Sequence, residues 1–270
     1  MNREPVFLKI CSALNGIVCV LLAARHLNRT WLFPAPESWW FLCAAALGFV
    51  YAFDLVMDSR RMKHPRSLLS GAAILLPALL AVGFALPFFS LRNPGEYLNK
   101  LLLPIALTAI YLTGIVWKRW RLLNPFREVL AALVFASTLI VAASGDAVQT
   151  CALAFLFGFG CLANLLLGSW YDFEQDQHYG MTGLLHSSWF PGSSTDHMRS
   201  LFVIMLLVPP ACIKLASGYW TSWALPESAL WVYVAMDAGW WLIRETPLTF
   251  RRFGIHRFVA DWLLLLWLLV

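Results

Sequence analysis

Nine times along its length this chain runs apolar for about the distance an α-helix needs to cross a bilayer. The runs cover residues 7–24, 39–57, 71–91, 101–117, 128–143, 150–170, 201–217, 228–243 and 257–270. A spanning helix takes roughly 17–25 residues. These runs are rich in Leu and Ala and lack period-2 alternation, so they read as helices and not as strands of a barrel. The composition agrees with that reading. Apolar residues make up 60% of the chain and charged residues only 13%, against about 25% charge in a soluble domain. Too little charge is available to cover a water-soluble body of 270 residues. A soluble enzyme, a disordered chain, a coiled coil and a collagen-like fibre are thereby excluded. The expected architecture is all-α: a polytopic membrane protein forming one nine-helix transmembrane domain over residues 1–270, with half-bundles over 1–127 and 128–270.

The distribution of Lys and Arg orients the spans. The N-terminus and the even-numbered loops carry 15 of them and the odd-numbered loops carry 5. Positive residues collect on the cytoplasmic side, so the N-terminus and the even loops are expected there. The chain holds 14 Trp, 7 Tyr and 19 Phe, many near the edges of the runs, where rings sit at the headgroup level.

Acids are few, which makes their placement informative. Asp54 and Asp58 close the second run, and Asp172 and Asp176 close the sixth. Each pair has i, i+4 spacing, which puts both carboxylates on one helical face about 5–6 Å apart at Cβ. Like charges so placed call for a counter-charge. Mg²⁺ is typically held by one or two carboxylates together with substrate phosphates. Both pairs fall on the same side of the membrane, and acids at such boundaries point to function. The basic segment after the first pair, Ser59-Arg60-Arg61-Met62-Lys63-His64-Pro65-Arg66, is suited to diphosphate oxygens. Control of topology accounts for Arg60 and Arg61 equally well.

These motifs resemble those of the UbiA-type intramembrane prenyltransferase superfamily. Its first motif reads N-D-x-x-D-x-x-x-D, followed by a stretch like H-P-x-R-P-L-x-S-G. Here Val50 and Tyr51 stand at the leading Asn and Asp, Asp54 and Asp58 keep the last two acids, and His64-Pro65-Arg66-Ser67-Leu68-Leu69-Ser70-Gly71 follows. The second motif, D-x-x-D-x-x-x-D, aligns with Ser169, Asp172 and Asp176, the leading acid being replaced by Ser169. Gly180-Met181-Thr182, Trp117-Lys118-Arg119-Trp120 ahead of Phe126-Arg127-Glu128, and His256-Arg257-Phe258-Val259-Ala260-Asp261 are similar to further family segments.

The resemblance implies nine helices and a Mg²⁺-dependent transfer of a polyprenyl group from an allylic diphosphate to a lipophilic acceptor. Asp54, Asp58, Asp172 and Asp176 would be the catalytic metal ligands. Lys63, Arg66, Lys118 and Arg119 would bind the diphosphate. The expected partners are the polyprenyl diphosphate, the acceptor and the lipid bilayer, with no nucleic acid. The expected location is a bacterial inner membrane, with the Asp motifs facing the cytoplasm. The alternative is a non-catalytic or transport-type protein on the same bundle. Acids at the boundary, not at the midplane, favour the enzyme.

Other residues have plainer expectations. The six cysteines lie in or beside apolar runs, form no C-x-x-C pair and read as small buried hydrophobes. Trp39, Trp40, Tyr51, Phe53, Trp170 and Tyr171 flank the motifs and offer ring faces to an allylic cation. Asp237 falls inside the eighth run and is expected to face the interior, with Arg244 or Lys214 as partner. The loop 177–200 is long enough to cap a site.

Overall fold

Wherever the structure describes the apolar runs, they are helical. The structure is a computed structural model that describes residues 6–31, part of 39–50, 94–116, 126–142, 147–178, 184–186, 194–219, 225–245 and 255–269. Seven α-helices are described: α1 (Val6–Trp31), α2 (Pro94–Val116), α3 (Arg127–Ala142), α4 (Ala147–His178), α5 (Ser194–Tyr219), α6 (Glu227–Glu245) and α7 (Ile255–Leu263). Two 3₁₀ segments join them, a short turn Leu184–His186 and a C-terminal stretch Leu264–Leu269. The described residues between 39 and 50 are helical as well. Among the described residues every regular element is a helix, so the fold is all-α. The third run, 71–91, lies outside the described residues.

Local sequence explains several helix ends. α2 opens on Pro94, whose missing N–H costs nothing at the first helical position. Glu128 in α3 and Glu227 in α6 lie in first turns, and Arg244 lies in the last turn of α6. Each complements the helix dipole. α2 continues through Pro104, and α5 through Pro209 and Pro210. In α3, Ser137 and Thr138 donate their hydroxyls to the carbonyls of Val134 and Phe135 at 2.6 Å. That satisfies two buried polar groups within the helix.

α4 is the central element. It packs on α3 along much of its length and also touches α1, α5, α6, α7 and the 184–186 turn. Its Leu153, Leu156, Phe157 and Leu166 are fully buried, in one core with Phe202 of α5, Trp240 of α6 and Trp267 near the C-terminus. Gly160 makes this fit possible. A Cβ there would lie 3.2 Å from Met236 Cε and 3.6 Å from Trp240. Trp240 is further held by its Nε1, which donates to the Ala260 carbonyl at 2.9 Å. α1 closes the assembly by packing on α7 and on the segment 264–269.

Many large apolar side chains also lie on the outer faces. Leu102 and Ile105 on α2, Ile204, Leu207 and Leu215 on α5, and Trp231 and Leu242 on α6 are exposed. Two helical stretches, Ala147–Tyr171 and Ser200–Gly218, are long and apolar enough to cross a membrane. The first is 56% buried within the fold and the second only 22%. α4 is thus shielded by its neighbours, whereas α5 presents most of its apolar surface outward. A water-soluble monomer rarely exposes so many large apolar side chains along single helices.

Candidate functional site

A cavity of ≈ 100 Å³ lies where α2, α3, α4 and the helical residues around 50 meet. Val50, Tyr111, Phe135 and Leu165 line its apolar side. Val50 and Tyr111 are both buried and pack together. Arg127, Glu128 and Ser169 form its polar end. Glu128 is 3% exposed, and a carboxylate so deeply buried needs several donors to offset desolvation. It has them. Ser169 donates its hydroxyl to Glu128 Oε1 at 2.8 Å, and the Leu184 backbone N–H donates to Oε2 at 3.0 Å. Arg127 Nη2 approaches Oε1 at 3.5 Å. The N-terminus of α3 adds its positive end to the same carboxylate.

Of the sequence-predicted acids, Asp172 and Asp176 relate to this cavity through their helix. Asp172 and Asp176 both lie within α4, which continues as a helix to His178. Their i, i+4 spacing is therefore a true helical turn, and both share one face of α4. At 1.5 Å per residue α4 is about 48 Å long, well beyond the ~30 Å hydrocarbon thickness. Its apolar stretch stops at Tyr171, one residue before the first acid. Ser169, three residues ahead of Asp172, lines the cavity, and so does Val50, four residues ahead of Asp54. Asp54, Asp58, Lys63, Arg66, Lys118 and Arg119 lie outside the described residues, as do the side chains of Asp172 and Asp176. Among the described residues no three His, Cys, Asp or Glu side chains gather into a metal-binding group.

Of the flanking aromatics, Trp39, Trp40 and Tyr171 are buried. Tyr171 donates its hydroxyl to the Ile243 carbonyl at 2.8 Å, tying α4 to α6. Trp170 stacks edge-on with Tyr171, and the guanidinium of Arg244 lies 5.5 Å from the Trp170 ring and 5.9 Å from Trp241. Arg244 is 3% exposed and pairs with Glu245 at 2.5 Å. This corrects the expected partnership of Asp237. Lys214 pairs instead with Glu227 at 3.5 Å, on the surface. Asp237 is 1% exposed, and its Oδ1 has no hydrogen-bond partner among the described residues. Cys19, Cys43 and Cys161 are buried as expected, but Cys151 and Cys212 face outward.

A second polar cluster joins the ends of the chain. Asp261 of α7 accepts from Asn15 Nδ2 of α1 at 3.1 Å and from Asn164 Nδ2 of α4 at 2.8 Å. Trp262 Nε1 donates to Asn15 Oδ1 at 3.0 Å. Gly16 leaves room for the carboxylate, since a Cβ there would lie 3.3 Å from Asp261 Oδ2. These three hydrogen bonds make the cluster a staple between α1, α4 and α7.

Compared with known protein families, curated proteins and solved structures, the chain matches none. Sequence reasoning missed Glu128 as a site residue, because its partners Ser169 and Leu184 lie 41 and 56 residues away. It missed Asn15 and Asn164 because the contacts they make with Asp261 span 246 and 97 residues.

Proposed function

We propose that this chain is an integral membrane transferase of the UbiA type, a nine-helix bundle. It moves a polyprenyl group from an allylic diphosphate to a lipophilic acceptor at the cytoplasmic face of a bacterial inner membrane. One observation carries the reading. Val50 and Ser169, each one turn ahead of a predicted acid pair and far apart in sequence, line the same cavity. The described residues just ahead of both acid pairs thus border one space, and acids carried to it from both segments would be able to share one ligand. The exposed apolar faces of α2 and α5 support the membrane setting.

The donor set fits Mg²⁺. The cation prefers carboxylate oxygens, and Asp172 and Asp176, one helical turn apart in α4, would supply them. Asp54 and Asp58 would complete the set. Glu128 is engaged by Ser169 and Leu184 and is not counted among the ligands. Bound there, Mg²⁺ would neutralise the departing diphosphate as a Lewis acid. Lys63, Arg66, Lys118 and Arg119 would hold diphosphate oxygens. The apolar walls, Val50, Phe135 and Leu165, exclude water from the reactive carbon, and the rings of Tyr111 and Phe135 offer faces to positive charge. Such contacts are worth about 0.5–2 kcal/mol each. Asp237, a buried carboxylate within α6, favours the second reading, a transport-type bundle.

Titration of the purified protein with geranylgeranyl thiodiphosphate, with and without Mg²⁺, separates the two. The transferase reading expects Mg²⁺-dependent binding, weakened at least about tenfold, or ~1.4 kcal/mol, by Asp54→Asn and by Asp172→Asn. Binding that ignores both the metal and the substitutions overturns it.

A further inference from the structure

Glu128 joins three parts of the chain through one buried group. Its own helix, α3, carries it at the first turn. Its Oε1 takes the Ser169 hydroxyl from α4, and its Oε2 takes the Leu184 N–H from the 184–186 turn. Leu184 and Leu185 are themselves buried in the main core. Apolar contact alone sets no orientation, because burial is non-directional. A charge-assisted hydrogen bond to a backbone N–H does set one, since it is short and angle-dependent. Ser169 also lies at the polar end of the cavity, three residues before Asp172 on the same helix. The carboxylate that seats the turn therefore also pins α4 to α3 just ahead of the acid pair.

We propose that Glu128 is a positioning residue: it seats the 184–186 turn on α4 at the cavity and holds the acid-bearing end of α4 against α3 for ligand binding. The seating stands on geometry alone, whereas the effect on ligand rests on the transferase reading. Charge is not essential to the seating. A Gln at 128 can accept from Leu184 through its oxygen and donate through its amide nitrogen to the Ser169 hydroxyl, which accepts as readily as it donates. An Ala can do neither.

The test uses the full chain in lipid nanodiscs, as wild type, Glu128→Ala, Glu128→Gln and Ser169→Ala. Hydrogen exchange by mass spectrometry reads the peptides containing Leu184. Titration with Mg²⁺ and geranylgeranyl thiodiphosphate reads binding. Glu128→Ala is expected to speed exchange at Leu184 by at least about tenfold, and Glu128→Gln by no more than about threefold. Probe affinity follows the same order, about tenfold weaker in Glu128→Ala and restored in Glu128→Gln. Unchanged exchange in Glu128→Ala overturns the proposal, as does Glu128→Gln exchanging as fast as Glu128→Ala. Faster exchange with unaltered probe affinity overturns the positioning role. If Glu128→Ala does not fold, Ser169→Ala decides: it removes one of the two bonds and should raise Leu184 exchange about threefold, and no rise overturns the proposal. A wild type that binds no probe, yet shows the expected exchange pattern, refutes the transferase reading and upholds the seating.

Discussion

Asn164→Ala tests the staple between α1, α4 and α7. Asp261 accepts at both oxygens, from Asn164 at 2.8 Å and from Asn15 at 3.1 Å, and it is 9% exposed. Acceptance at both oxygens is the pattern of an ionised carboxylate. A hydrogen bond to a charged group is worth about 1.5–3 kcal/mol, whereas interhelical hydrogen bonds between neutral groups in membranes average only ~0.6 kcal/mol. The buried, charged acceptor puts this bond in the first class, at about 2 kcal/mol. For a chain of this size each kcal/mol moves Tm by about 2–4 °C, so Asn164→Ala should lower Tm by about 4–8 °C. Thermal unfolding in a mild detergent measures it. The double-mutant cycle with Asp261→Ala sharpens the test. The pair should fall short of additivity by at least about 1 kcal/mol, because removing the carboxylate also removes what Asn164 served. A Tm loss below about 2 °C, or additivity within ~0.5 kcal/mol, would refute the argument that a charged acceptor carries the joint.

Two further stability predictions follow from local geometry. Asp237→Asn keeps the shape and removes a buried ionisable group whose Oδ1 has no hydrogen-bond partner among the described residues; Tm should rise by about 2–4 °C, near 1 kcal/mol, and a fall would mean the carboxyl group is in fact compensated. Gly158→Ala places a methyl 3.1 Å from the Cβ of Ala136 on α3, an atom with no rotamer to yield; it should cost about 1–3 kcal/mol, read as a lower Tm. Gly168→Ala, with nothing within 4 Å, is the matched control. There the better helix propensity of Ala should raise stability by up to about 1 kcal/mol.

Among the described residues, hydropathy located the helices but not their ends. The first apolar run ends at residue 24, yet α1 continues to Trp31 through Arg25, His26, Asn28 and Arg29. The sixth ends at residue 170, yet α4 continues to His178 through its acids. Hydropathy measures where a helix meets lipid, whereas backbone hydrogen bonding persists wherever helix-forming residues follow. The i, i+4 logic of Asp172 and Asp176 was legible because it is local. The partners of Asp237, Arg244 and Lys214 were not. Charge type alone pairs them, but each cation lies next to a different acid in space. Glu128 and Asp261 were legible as acids near helix starts. Their roles depend on which helices pack together, and one sequence does not disclose that.

The joint between Asn15 and Asp261 also has a consequence in time. The two residues are 246 positions apart. At a synthesis rate of about 5–20 residues per second, the first helix waits roughly 10–50 s for its partner. Throughout that interval a carboxamide sits in the growing assembly with its intended acceptor not yet made. The three-helix joint therefore closes only after nearly the whole chain has been made, and α1 cannot take its final place on α7 before then.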